Sequence, residues 1–300
     1  GRVAAAQELL AGGSHGEAIL GRFFSEWIRY GRAASKVKND VPEYEAVRDD
    51  LVEETRAYID RVVRVEGGGM REVLTTPTTE LNAELAAYYG WGTASGTSFE
   101  TQERPEEWAV GLLAQGSVLA GNAHTDSTSP TLRGLLIFEK LLCNPGLTPP
   151  PDVPSIDPPA PGEMTTRERY EIAHAGEDAC AACHQFFDPL GFASEHFDRS
   201  GRYRPDESGL TIDASGTVKL ISGNEISFDG LTQLAFALSD DVSVHRCAGD
   251  NVERFAFGGE VEGCRDVQLR EALVAGEVGL ADYFVQLAGA DGFARRDDAN

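Results

Sequence analysis

Apolar residues recur at helical spacing along most of the chain. After the capping-box signature Ser14-x-x-Glu17, residues Ile19, Leu20, Phe23, Phe24, Trp27 and Ile28 follow at intervals of one, three and four, which predicts a helix burying one stripe. Asp40-Val41-Pro42 restarts the pattern. Val47, Leu51, Tyr58, Val62 and Val65 then line one face, Glu, Asp and Arg fill the other, and Gly67-Gly68-Gly69 stops the run. Shorter helices are predicted at 79–89, closed by Gly90, at 105–115 with Pro105 in the first turn, and at 131–142. Residues 145–161 then hold eight of the fourteen prolines, a density that suits a stiff extended strap. Beyond it, helices are expected at 166–174 and from Asp178. Residues 211–228 alternate as a hairpin around Ser222-Gly223-Asn224, and helices resume from Leu231 to near Phe293. The expected fold is mainly α, with two helical lobes joined by the proline-rich strap and a small β-hairpin. The boundaries read as a helical domain 1–143, a linker 144–162, a domain 163–230 containing the hairpin, and a C-terminal helical domain 231–300.

Charge narrows the partners. Lys and Arg number 26 against 49 Asp and Glu, a formal charge of −23, which opposes phosphate backbones and anionic lipid and favours a basic protein partner. No stretch reaches the roughly 18 apolar residues of a spanning helix; the richest, Leu135 to Leu142, is broken by Glu139 and Lys140. Nucleic acid and a membrane span are therefore not expected. The opening Gly1-Arg2-Val3 reads as that of a processed chain or of a piece of a longer one.

Two of the five cysteines lie in Cys180-Ala181-Ala182-Cys183-His184, the spacing of a c-type haem attachment site. Two thiols three residues apart on a helical turn can each form a thioether to a haem vinyl group, which leaves His184 as the proximal iron ligand of one haem c. A redox Cys-x-x-Cys would need a βαβ setting, and zinc would need two further ligands; neither is evident. The second iron ligand separates electron transfer from an open catalytic iron. His174, ten residues before His184, is the leading candidate, and His124 and Met164 are lesser ones. A surface or hydrogen-bonding role remains the alternative for each histidine.

Cys247 and Cys264 are the closest remaining pair, and a bridge between them would close a loop of eighteen residues. Haem c attachment and disulfides both belong outside the cytoplasm, so the two expectations support each other. Cys143 is read as a small core residue. Arg202 and Arg204 are candidates to pair with haem propionates, since a guanidinium fork fits a carboxylate. Asp188, Glu195, Asp198 and Asp213 read as turn and cap residues; no twelve-residue calcium loop is present.

A long series of residues resembles the planctomycete-type cytochrome-c-like proteins, exported bacterial proteins built of several domains of unknown function. Its centre is Thr165-Thr166-Arg167-Glu168-Arg169, His174, the haem motif, Asp188-Pro189-Leu190-Gly191-Phe192, Glu195, Phe197-Asp198, Gly201-Arg202-Tyr203-Arg204 and Asp213-Ala214-Ser215-Gly216. Leu81-Asn82-Ala83-Glu84-Leu85 and Thr128-Ser129-Pro130 look like that family's preceding domain, and Phe255-Ala256-Phe257-Gly258 like its terminal one. The resemblance implies a single c-type haem, export and further domains, and it marks His174 as a functional position, but it supplies no reaction. Phe186-Phe187 departs from the more polar or aliphatic pair usual there. Three functions are weighed: a periplasmic or extracellular monohaem protein relaying electrons; a haem oxidoreductase acting on peroxide or a small organic substrate, with His124 or His174 as distal acid or base and Arg133 as helper; and a structural or adhesive module of a larger extracellular assembly.

Overall fold

The structure is a computed structural model and describes residues 1–146, 163–175, 178–220, 222–259 and 267–290. It opens with α1 (Arg2–Ala11), α2 (Gly13–Trp27) and α3 (Tyr44–Ile59), which runs on as a π-helical turn over Asp60–Val65. After α4 (Met70–Thr75), β1 (Thr78–Leu81) pairs antiparallel with β2 (Glu100–Glu103) across α5 (Ala83–Tyr89). α6 (Gly116–Gly121) and α7 (Pro130–Leu135) follow, the latter continuing as a π-helical turn over Leu136–Leu141. Then come α8 (Thr166–Ala175), α9 (Asp178–His184) and α10 (Asp188–Phe192), and two hairpins, β3 (Asp206–Glu207) with β4 (Leu210–Thr211) and β5 (Ser215–Lys219) with β6 (Glu225–Asp229). α11 (Gly230–Asp240), α12 (Val242–Phe257), α13 (Val267–Val274) and α14 (Leu280–Leu287) complete a mainly helical chain.

The predicted stripes are buried. Leu20, Phe23, Phe24 and Trp27 on α2 and Val47, Leu51 and Tyr58 on α3 are core residues, and the Phe23 ring packs edge-on against Phe24, Phe255 and Phe284. Ile19 and Val65 instead face outward; in the π-helical turn the wider repeat rotates Val65 off the stripe. The predicted hairpin forms with Lys219 opposite Glu225 and the Thr217 and Ser227 hydroxyls 2.9 Å apart.

Three expectations are corrected. The helix predicted at 79–89 begins later, because the Asn82 side chain accepts the Leu85 N–H at 2.8 Å as its N-cap and the residues before it pair as β1. The helix predicted at 105–115 is two single 3₁₀ turns, Glu106–Trp108 and Leu112–Ala114. Between them Gly111 is pressed against neighbouring chain: a Cβ there would lie 2.3 Å from Tyr58 Oη and 2.4 Å from the Val73 carbonyl oxygen. The disulfide joins Cys247 to Cys143, with Cα atoms 5.4 Å apart and a sequence separation of 104, and not to Cys264, which lies outside the described residues. α12 packs along the π-helical turn after α7, so tertiary packing, not closeness in sequence, selects the partner.

One hydrophobic cluster runs from Leu10 to Leu287 and takes in buried residues on both sides of the proline-rich segment, while a smaller one gathers Tyr44, Leu51, Leu81 and Leu85. Of the predicted linker 144–162, residues 147–162 lie outside the described residues. On either side of it, α7 and α10 approach so closely that a Cβ on Gly134 would sit 1.9 Å from the Phe187 carbonyl oxygen, and one on Gly191 1.9 Å from that of Pro130. This contact holds the chain just after the haem motif firmly against the N-terminal half.

Candidate functional site

α9 carries Cys180, Cys183 and His184 on two consecutive turns, and α8 packs against it. Cys180 and Cys183 are free thiols, both half-buried. The helix ends at His184, a three-residue turn follows, and Asp188 opens α10 with Pro189 in its first turn.

Asp188 organises the site. Its Oδ2 accepts hydrogen bonds from Nδ1 of His174 at 2.6 Å and from Nδ1 of His184 at 3.0 Å, and its Oδ1 accepts from the Thr131 hydroxyl at 2.7 Å. The carboxylate is buried, its side chain 7% exposed. Burial by itself pushes the Asp188 carboxyl up, but the bonds from His174, His184 and Thr131 outweigh it and hold it below the usual carboxylate range. With Nδ1–H given to the carboxylate, each imidazole keeps its Nε2 lone pair for a ligand, which is how a metal-binding histidine is oriented. Around the pair, the Phe187 ring lies 4.9 Å from His184, Tyr170 lies 5.2 Å from His174, and Phe138 packs on Phe186 and Phe187.

These residues fit a c-type haem. Two free thiols on one helix, an adjacent imidazole fixed in tautomer by a buried carboxylate, and an aromatic wall are the donor set and setting that such a group requires. His174 stands beside His184. Its ring lies 3.6 Å from that of His184, and both Nδ1 atoms meet one oxygen. His174 is thus an immediate neighbour of His184. One ligand atom from each of His174, His184 and Asp188 can be chosen so that all three lie within 4.8 Å of one another, and no other such group of three occurs among the described residues.

The other candidates lie elsewhere. His124 sits in an exposed turn, its backbone N–H bonded to the Ser127 carbonyl at 3.0 Å, and Met164 is exposed at the start of α8. His196 and His245 are bonded through ring nitrogens to the carbonyls of Arg204 and Ser239. Arg202 lies over the Tyr88 ring and 3.5 Å from Asp198, and Arg204 is 3.1 Å from Glu195 and 3.3 Å from Glu207, so both guanidinium groups already face carboxylates. Arg133 is buried and donates to the carbonyls of Ser194, Phe197 and Asp198. Asp198 and Asp213 cap their own turns through Ser200 and Ser215, as expected of turn residues. Sequence reasoning missed the double role of Asp188. The signal available was its place four residues after His184, one helical turn on.

Residues 2–91 match the family model PSD4, protein of unknown function (DUF1592), and residues 109–207 match PSCyt3, protein of unknown function (DUF1588). Both are domain families of the planctomycete cytochrome-c-like proteins, and each match covers about a third of the chain. The second runs from before the proline-rich segment to beyond the haem motif, across the same two stretches that α7 and α10 bring together. No curated protein and no solved structure matches the chain.

Proposed function

We propose that this chain is an exported monohaem c protein that relays electrons, with Cys180 and Cys183 as the thioether positions and His184 as the proximal iron ligand. The observation that carries the reading is the His184–Asp188 hydrogen bond at 3.0 Å beside two free thiols on the same helix. The group would supply a one-electron couple when bound. The chain's own residues do the rest. Asp188 keeps His184 in the Nδ1–H tautomer, Thr131 fixes Asp188 from the facing helix, and Phe138, Phe186 and Phe187 form an apolar wall beside the motif. The Cys143–Cys247 bridge supports an oxidising compartment, periplasmic or extracellular. No described helix is long and apolar enough to cross a membrane. The charge of −23 suits a basic redox partner.

The side-by-side placement of His174 and His184 favours a second reading, in which the iron keeps an exchangeable position for a small ligand and the chain is an oxidoreductase. Optical spectra of protein made with an intact haem-attachment system separate the two. An electron carrier with two protein ligands gives a low-spin ferrous spectrum indifferent to carbon monoxide; an open position gives a high-spin spectrum that shifts. If no haem c is attached, both readings fail, and His174, His184 and Asp188 remain as a two-histidine, one-carboxylate set for a divalent cation.

A further inference from the structure

Behind α8, Arg133, Arg169 and Glu195 are buried, with Arg204 and Glu207 half-buried beside them. Arg133, Arg169 and Arg204 gather around two carboxylates, Glu195 and Glu207. Glu195 lies 3.7 Å from Arg133 and 3.1 Å from Arg204, and also accepts the Thr128 hydroxyl at 2.8 Å. Glu207 lies 3.3 Å from Arg204 and caps α8 by accepting the Thr166 N–H at 2.8 Å and hydroxyl at 2.6 Å. Glu195 thus meets Arg204 and Thr128 through one oxygen while its Oε1 has no hydrogen bond, Glu207 meets Arg204 and Thr166, and one of the three cations has no ion-pair partner.

That cation is Arg169. It is 8% exposed, its Nε is buried with no hydrogen-bond partner, and no carboxylate lies within ion-pair reach of it among the described residues. Its guanidinium carbon lies 5.5 Å from the Tyr170 ring centre. A buried guanidinium with no carboxylate in contact is costly, and its planar fork matches a carboxylate. Arg169 also leads into the site through contacts in series. Tyr170, over which it lies, packs on His174, and His174 packs on His184.

We propose that Arg169 receives a carboxylate, and that in the haem-loaded protein this carboxylate is a haem propionate, an assignment that rests on the haem reading above. Arg169 takes the place expected for Arg202 and Arg204, whose charges Asp198, Glu195 and Glu207 already meet.

The test compares haem-loaded wild type with Arg169→Gln, Arg169→Lys and Arg202→Gln, reading the propionate bending band by resonance Raman and the pH dependence of the reduction potential. Arg169→Gln is expected to shift the band, lower the potential and make it pH-dependent in the weakly acidic range. Arg169→Lys keeps the charge and loses the fork, so it shifts the band with a smaller change in potential; Arg202→Gln matches wild type. An unchanged band in both Arg169 variants overturns the proposal, and Arg169→Lys decides alone if the glutamine variant does not fold. Acetate is the second arm. If it raises the unfolding temperature of haem-loaded wild type but not of Arg169→Gln, the carboxylate is a diffusible one and the propionate assignment is overturned. Failure of the haem reading shows separately, as wild type without covalent haem. In that event acetate must still stabilise wild type and not Arg169→Gln, or the carboxylate site is refuted too.

Discussion

Replacing both Cys143 and Cys247 by alanine removes a bridge whose ends are 104 residues apart in sequence. By the chain-entropy model a loop of that size restrains the unfolded chain by about 4.7 kcal/mol, against about 3 kcal/mol for the eighteen-residue loop that a Cys247–Cys264 bridge would close. For a chain of this size each kcal/mol moves Tm by roughly 2 °C, so the double variant should melt about 10 °C lower. Reduction of the wild type with dithiothreitol should bring most of the same loss without any change in side-chain packing. The assay is urea unfolding followed by circular dichroism, oxidised against reduced, with non-reducing peptide mapping of the same samples. Cys264→Ala should leave the map and the urea midpoint unchanged. A map that joins Cys247 to Cys264, or a loss on reduction below about 1 kcal/mol, refutes the pairing and with it this support for export.

Three further outcomes are expected. Glu54 and Arg104 are both buried, 3.3 Å apart, with Tyr89 and Thr79 also donating to Glu54; Arg104→Met should cost about 3–5 kcal/mol in urea unfolding by stranding a buried carboxylate. Adding Glu54→Leu should recover much of that, and additive losses would contradict the pairing. Gly191→Ala places a methyl 1.9 Å from the Pro130 carbonyl oxygen and should cost about 1–3 kcal/mol or more, whereas Gly13→Ala, with open space around it, should be neutral or stabilising; equal effects would refute the close α7–α10 contact. Burial, then the neighbouring cations, pushes Lys38 from 10.5 down to about 7. The unfolded chain holds that proton up to about 10.5 and the folded one releases it near 7, so unfolding takes up a proton between these values and stability rises with pH there. Urea midpoints of wild type relative to Lys38→Met should rise from pH 7 to 9.5, and parallel curves would contradict this.

What was legible in the sequence is what local periodicity specifies. The α2 and α3 stripes, the β5–β6 hairpin and the stop at Gly90, which takes a left-handed φ of 75°, were all readable because one face or one turn residue decides each of them. The stretch 105–115 was misread because Leu112, Leu113 and Ala114 are all buried, so the run has no polar face for a helical period to show against. β1 was hidden because Glu80 on it is buried against Arg61, an ion pair across nineteen residues that leaves no alternation of polar and apolar positions. At the site, the Cys-x-x-Cys-His run is a spacing and is visible in the sequence itself. The positions of His174, Arg202 and Arg204 depended on partners supplied by tertiary packing: a shared Asp188, then Asp198, Glu195 and Glu207. A list of histidines and arginines does not reveal which charges are already met.

The central claim is that Cys180 and Cys183 hold a haem covalently. Intact mass under denaturing conditions tests it most directly, on protein matured with a complete attachment system and on Cys180→Ala/Cys183→Ala made alongside. The account predicts a wild-type mass greater than that of the polypeptide by one haem and a variant mass with no addition. A wild type at the bare polypeptide mass, or a variant that keeps the added haem, would contradict it.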